Sequence, residues 1–207
     1  MTCHNRDFLM KSFTHAILGS AFLAATMAST VATADPEIEA AAKLFAEQSV
    51  SQWLGNPLVI TAIKAQNEKN ASVTQSQIDA MDKAWRAESA GSGGPMITEV
   101  TGNSLSKFLR EVKDGEQGLV TEIFVMDDKG LNVGQSDVTS DFWQGDEAKW
   151  QKTYAASPKA MFVDDVEMDE STQSFQTQIS IAITDPDTGK NIGAVTIGVD
   201  AEGLLMQ

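Results

Sequence analysis

Residues 175–183 alternate without a break. Phe175, Thr177, Ile179, Ile181 and Ile183 fall on one side, and Gln176, Gln178, Ser180 and Ala182 on the other. A period of two is that of a β-strand with one apolar and one polar face. The isoleucine face must be covered by other elements, so the chain has to build a sheet with a layer packed on it. The polar face of such a sheet is ordinarily solvated. Gln178 and Ser180, near the strand centre, are the residues on it best placed to reach a ligand.

The remaining elements follow from local signals. Asp35-Pro36, with Glu37 and Glu39 behind it, is a helix start: a capping side chain, proline in the first turn and acids at the positive end of the dipole. Ile38, Ala41, Ala42 and Phe45 then recur at helical spacing. Asn56-Pro57 interrupts the run, because the residue before proline avoids helical geometry, and a helix resumes from Pro57. Further helices are predicted over 76–86 and 104–112, separated by the flexible GSGGP of residues 91–95. Trp53 and Trp85 lie on apolar helical faces and are expected in the core. After Gly118 the period changes. Residues 122–126 and 131–135 read as a hairpin around the turn Asp127-Asp128-Lys129-Gly130. Residues 146–155 read as a surface helix with Trp150 and Tyr154 on one face. A strand over 161–168, bulged at Asp164-Asp165, precedes the long alternating strand, and Val195, Ile197 and Val199 form the last one. The predicted class is α+β: one antiparallel five-stranded sheet, helical over 35–115 and sheet over 119–203.

Residues 1–34 read as an export signal. Arg6 and Lys11 supply a basic start, a weakly apolar run follows, and Ala32-Thr33-Ala34 places small residues where a signal peptidase cuts. Met10 is an alternative start. The expectation is a periplasmic or secreted domain over 35–207, with no membrane span once the leader is removed. Cys3, His4 and His15 all precede residue 35, so the exported chain has neither histidine nor cysteine. Histidine-dependent triads, zinc sites of the His/Cys type and intrachain disulfides are excluded from it. No cofactor or metal is expected. The formal net charge of the whole chain is −14, which argues against a nucleic-acid partner.

The connection SDVTSDFWQGDEAKW, residues 136–150, carries two indoles, a lysine and several carboxylates between predicted strands. Binding residues concentrate on loops held by a rigid scaffold. A pocket bounded by Trp143, Lys149, Trp150, Tyr154, Gln178 and Ser180 is the expectation, with Asp146 as a nearby acid. Lys149 suits an anionic group on the ligand and the acids suit a cationic one, so both stay open. Asp164, Asp165, Glu167, Asp169 and Glu170 lack the order of a calcium loop and read as a solvated acidic edge.

The element order, with IFVMDDKGLNVGQSD, DEAKWQKTYA and the closing ISIAITDPDTGKNIGAVTIGVD, resembles the Cache superfamily over roughly residues 37–203. Those are extracytoplasmic relatives of the PAS sensor fold. The resemblance implies a PAS-like sheet with a long N-terminal helix and a helical crossover. It also implies a non-catalytic sensory domain that binds amino acids, organic acids or amines on the sheet face. By the same resemblance, Asp169 and Asp200 correspond to the acids that hold a ligand amine. Amino-acid-binding members carry an Arg-x-Trp-Tyr run, where this chain has Ala148-Lys149-Trp150-Gln151. The indole is kept and the planar carboxylate fork is lost, which argues against a conventional α-amino-acid ligand. With the last predicted strand close to Gln207, output is expected through a partner protein, a membrane-bound sensor kinase. Two other readings stand beside this one: a ligand-free interaction module, and a carboxylate-dependent hydrolase using Asp141, Asp146 or Glu147.

Overall fold

The structure is a computed structural model that describes residues 35–169 and 174–207. The expected leader, residues 1–34, and Glu170 lie outside the described residues, and Asp169 is described as backbone alone.

Helix α1 (Pro36–Phe45) starts as its sequence dictates: the Asp35 carboxylate accepts from Glu37 N at 2.9 Å, and Pro36 lacks the amide hydrogen that would otherwise be orphaned. It continues through a π-helical turn at residues 46–50 into α2 (Ser51–Leu54). Asn56 caps α3 (Pro57–Lys69) by accepting from Leu58 N. Thr74 and Gln77 form a reciprocal capping box on α4 (Gln75–Ser89). Residues 96–102, outside the predicted helices, belong to α5 (Pro95–Gly102), whose free amides at Met96 and Ile97 are taken up by the Glu88 carboxylate. Helix α6 (Ser104–Gly115) is capped by Asn103.

The sheet is antiparallel throughout. Strands β1 (Val120–Met126) and β2 (Asn132–Gln135) form the predicted hairpin, with Gly130 at φ 82° in the turn. The predicted strand over 161–168 is two short strands, β3 (Met161–Val163) and β4 (Glu167–Asp169). Both pair with β5 (Ser174–Thr184), and the four steps from Val163 to Glu167 span only three from Ile179 to Gln176, so one extra residue is bulged out where the bulge at Asp164-Asp165 is expected. Strand β6 (Asn191–Asp200) follows, and the spatial order is β2-β1-β6-β5-β3 with β4 beside β5. Six segments therefore occupy five positions.

The isoleucine face meets the helices. Ile123, Ile197 and Ile179 are in register across β1, β6 and β5 and are at most 1% exposed. Each such side chain contributes about 1.5–3 kcal/mol by leaving water. Ile38, Ala42, Phe45, Val59, Ile63, Leu105 and Leu109 cover them from the helices. Trp85 is fully buried in a second cluster with Ile78 and Phe142, and Trp53 is half-buried against the main core. No described helix is long and apolar enough to cross a membrane.

Two elements differ from expectation. The surface helix predicted over 146–155 is one turn, α7 (Ala148–Gln151), followed by further turns. The Thr153 hydroxyl donates to the Lys149 and Trp150 carbonyls, so a side chain takes up acceptors that a longer helix would use. A C-terminal helix, α8 (Ala201–Leu205), follows β6 and packs on α1.

Candidate functional site

The sheet face away from the main helical layer carries the polar half of the alternation. Register sets it out in rows. Gln135, Phe124, Thr196, Ser180 and Phe162 share one row across β2, β1, β6, β5 and β3. Glu122, Gly198 and Gln178 share the next. The crossover of residues 136–160 folds back over this face and is held there from several sides. The Trp85 indole donates to Thr139 O, and Asp82 accepts from the amides of Phe142 and Trp143. Trp143 Nε1 donates to Lys129 O at 2.8 Å, and Trp150 Nε1 to Asp127 O at 3.2 Å.

Trp150 and Tyr154 stack at 5.0 Å with 28° between their planes, and together they pack on Phe124, Met126 and Ala194. Burial, then the charges of Asp128 and Asp127, push the Tyr154 phenol up from its ordinary value, which keeps it neutral. The two rings fill the middle of the cleft drawn from sequence. Ser180 is fully buried beneath the crossover, and its hydroxyl is bonded to Thr196 Oγ at 2.9 Å.

The space left open lies one row along. A depression of about 540 Å³ is bounded by β1, α7, the 164–168 segment and β5. Gly198 lies in register between two of its lining residues, Glu122 and Gln178, and a β-carbon there would come within 2.7 Å of Glu122 Cγ and Thr121 Oγ. The missing side chain is what lets Glu122 lie across β6 and accept from Gln178 Nε2 at 2.9 Å. Five carboxylates line the depression, from Glu122, Glu147, Asp164, Asp165 and Glu167, with the Gln176 and Gln178 amides and one cation, Lys149. Lys149 Nζ is 2.8 Å from Glu147 Oε2 and 5.5 Å from the Phe124 ring centre. Asp164 is placed by its backbone, whose amide donates to Gln178 O and whose carbonyl accepts from the Thr177 hydroxyl.

The expected site residues are thus dispersed. Lys149 and Gln178 line the acidic depression. Trp143 and Trp150 border a separate hollow of about 370 Å³ with Val73, Ile78 and Lys129. Tyr154 and Ser180 are committed to packing and to a buried hydroxyl pair. Asp146 is exposed on the crossover, outside both hollows. The Asp200 carboxylate accepts from Gly203 N and caps α8, beside a third hollow formed with residues 115–119. The Asp169 side chain is outside the described residues. Asp164, Asp165 and Glu167, expected as a solvated edge, border the depression, and Asp165 and Glu167 are exposed there. Glu122 and Gly198 are not among the sequence candidates, although their signals are present: a charge inside an apolar strand, and a glycine inside an alternating one.

A larger groove, about 670 Å³, runs between α1–α2 and the sheet edge, lined by Leu54 from the helices and by Met161, Ile181 and Ile183 from β3 and β5. It is mainly apolar and lies away from the crossover, whereas the acidic depression gathers charged and amide groups that can orient a polar ligand.

No family model matches the chain, and no curated protein matches it. Among solved structures, the sensor domain of the V. cholerae histidine kinase DctB is similar with a TM-score of 0.41 at 11% identity, over 83% of this chain and 58% of that one. The sensory domain of the Campylobacter jejuni chemoreceptor Tlp3 is similar with a TM-score of 0.39 at 14% identity, over 82% and 66%. The ligand-binding domain of Tlp3 in complex with 4-methylisoleucine gives 0.38 at 14%, over 82% and 62%. The chain spans about three fifths of the length of each. Its own strand pairing and helical layer make it an α+β protein built on one antiparallel sheet, the architecture that the Cache resemblance implies.

Proposed function

We propose that this chain is a non-catalytic, extracytoplasmic sensory domain that binds a small polar metabolite on its sheet face and acts through a partner protein. The observation that carries the reading is the depression between α7 and the sheet face, where acids, amides and one lysine converge on a volume suited to a small organic acid, amino acid or amine. Its polar groups are paired with one another, Glu122 with Gln178 and Glu147 with Lys149, which suits recognition rather than bond cleavage. This reading takes residues 1–34 as an export signal and expects the domain in the periplasm or outside the cell, with a membrane-bound sensor kinase as its partner.

A thermal-shift screen of amino acids, short organic acids and amines on the 35–207 chain tests it. A selective compound is expected to raise the melting temperature, since saturation at 100 times Kd stabilises the folded state by about 2.7 kcal/mol. Glu122→Gln is expected to reduce that shift. If no compound moves the melting temperature, the reading is wrong.

A further inference from the structure

Lys149 sits where a guest would. Its side chain is only 14% exposed, although it belongs to a one-turn helix on the surface of the crossover. The stem runs inward, and the ammonium lies above the buried Phe124 ring and against the Glu147 carboxylate. An aromatic face together with a carboxylate is what holds an alkylammonium ion. The other carboxylates of the depression, Glu122, Asp164, Asp165 and Glu167, make the surroundings favourable to a cation and repel an anion. The lysine stem is a flexible four-carbon chain, and its compact head is strongly hydrated, so it can swing out to water at modest cost.

We propose that Lys149 is a tethered occupant of the cation seat that Glu147 and the Phe124 ring form at the wall of this depression, and that the ligand is an alkylammonium compound that displaces it from that seat. The inference rests on the proposed small-molecule site and assigns its ligand class. It reverses the part that Lys149 would play for an acidic ligand, from contact to competitor. A ligand that must first expel Lys149 binds with an apparent affinity lowered by the fraction of time the site is free. Glu147 then changes partner, from Lys149 to the incoming ammonium, and the lysine head goes to solvent.

The test is calorimetric titration of the 35–207 chain with n-butylammonium chloride and, separately, sodium butyrate. Lys149→Ala is expected to bind n-butylammonium about ten-fold more tightly than wild type, the factor for a site that Lys149 fills about nine-tenths of the time. Butyrate is expected to bind neither protein. Lys152, whose ammonium lies 4.0 Å from the Phe162 ring centre, is the charge control, because Lys152→Ala removes the same charge without emptying the seat on Glu147 and Phe124. Should Lys149→Ala fail to fold, Lys149→Met keeps the stem, frees Glu147 and carries the same direction of change. Equal or weaker amine binding by the Lys149 variants overturns the inference, as does an equal gain in Lys152→Ala. Butyrate binding that is lost in Lys149→Ala overturns it while leaving the site standing. Failure of every compound in the wider screen, with wild type and variants alike, removes the site and the inference together.

Discussion

Two adjacent aspartates in the β1–β2 turn show how much a single position decides. Asp127 is fully buried, and its carboxylate accepts from Lys129 N, Leu131 N, Gln66 Nε2 and Asn70 Nδ2, all at 2.9–3.0 Å. Its carbonyl accepts from the Trp150 indole, so one residue ties the hairpin to α3 and to the crossover. Asp128 has the opposite fate. Its Oδ1 is buried without a donor among the described residues, and burial first, then the charge of Asp127, push its carboxyl up, with Lys129 opposing. A raised folded-state value means that ionisation costs stability. The cost is absent below the unfolded value of about 4 and grows as pH rises through the folded one. Asp128→Asn is therefore expected to melt above wild type at pH 7, with the gap closing as pH falls toward about 4. Melting curves across that range check it, and a lower melting temperature for the variant at pH 7 would refute it. Neither fate was legible in the sequence, where DDKG announces a turn and no more, because burial depends on what α3 and the crossover bring to the turn.

At the scale of elements, caps were legible and ends were not. Asp35-Pro36 and Asn56-Pro57 start helices because the signal and its effect lie within three residues of each other. The bulge expected at Asp164-Asp165 is present as one extra residue within 164–166, and it splits the strand into β3 and β4. Asp164 and Asp165, in that bulge, border the depression. Asp200 is the clearest reassignment: the residue expected to hold a ligand amine caps α8. Asp200→Ala is expected to cost about 1 kcal/mol, the usual loss for an N-cap. For a domain of this size that lowers the melting temperature by about 2–4 °C. Any ligand-induced shift is expected to survive. Loss of the ligand response with an unchanged melting temperature would restore Asp200 to the site.

For the molecule as a whole, the dominant physical fact is charge. A net −14, with five carboxylates gathered on one hollow, makes the folded chain repel itself. Raising ionic strength from about 10 mM to about 150 mM shortens the screening length from about 30 Å to about 8 Å. The melting temperature of the 35–207 chain is expected to rise over that interval, measured by differential scanning calorimetry. A fall would mean that attractive ion pairs such as Arg86 with Asp82 and Asp141 outweigh the repulsion.

The amino-acid order alone determined that helices precede a sheet, that the sheet has an apolar and a polar face, and that an indole-bearing crossover lies between its strands. Those properties are periodic or local, and a few neighbouring residues suffice to impose them. The tertiary structure decided which groups share a hollow. Glu122, Gly198 and Gln178 lie far apart in the chain and become neighbours only through antiparallel register. The inward course of Lys149 likewise depends on Phe124 and Glu147 being in place to receive it. Side-chain direction on a one-turn helix is set by the partners that surround it, and sequence spacing does not encode those partners.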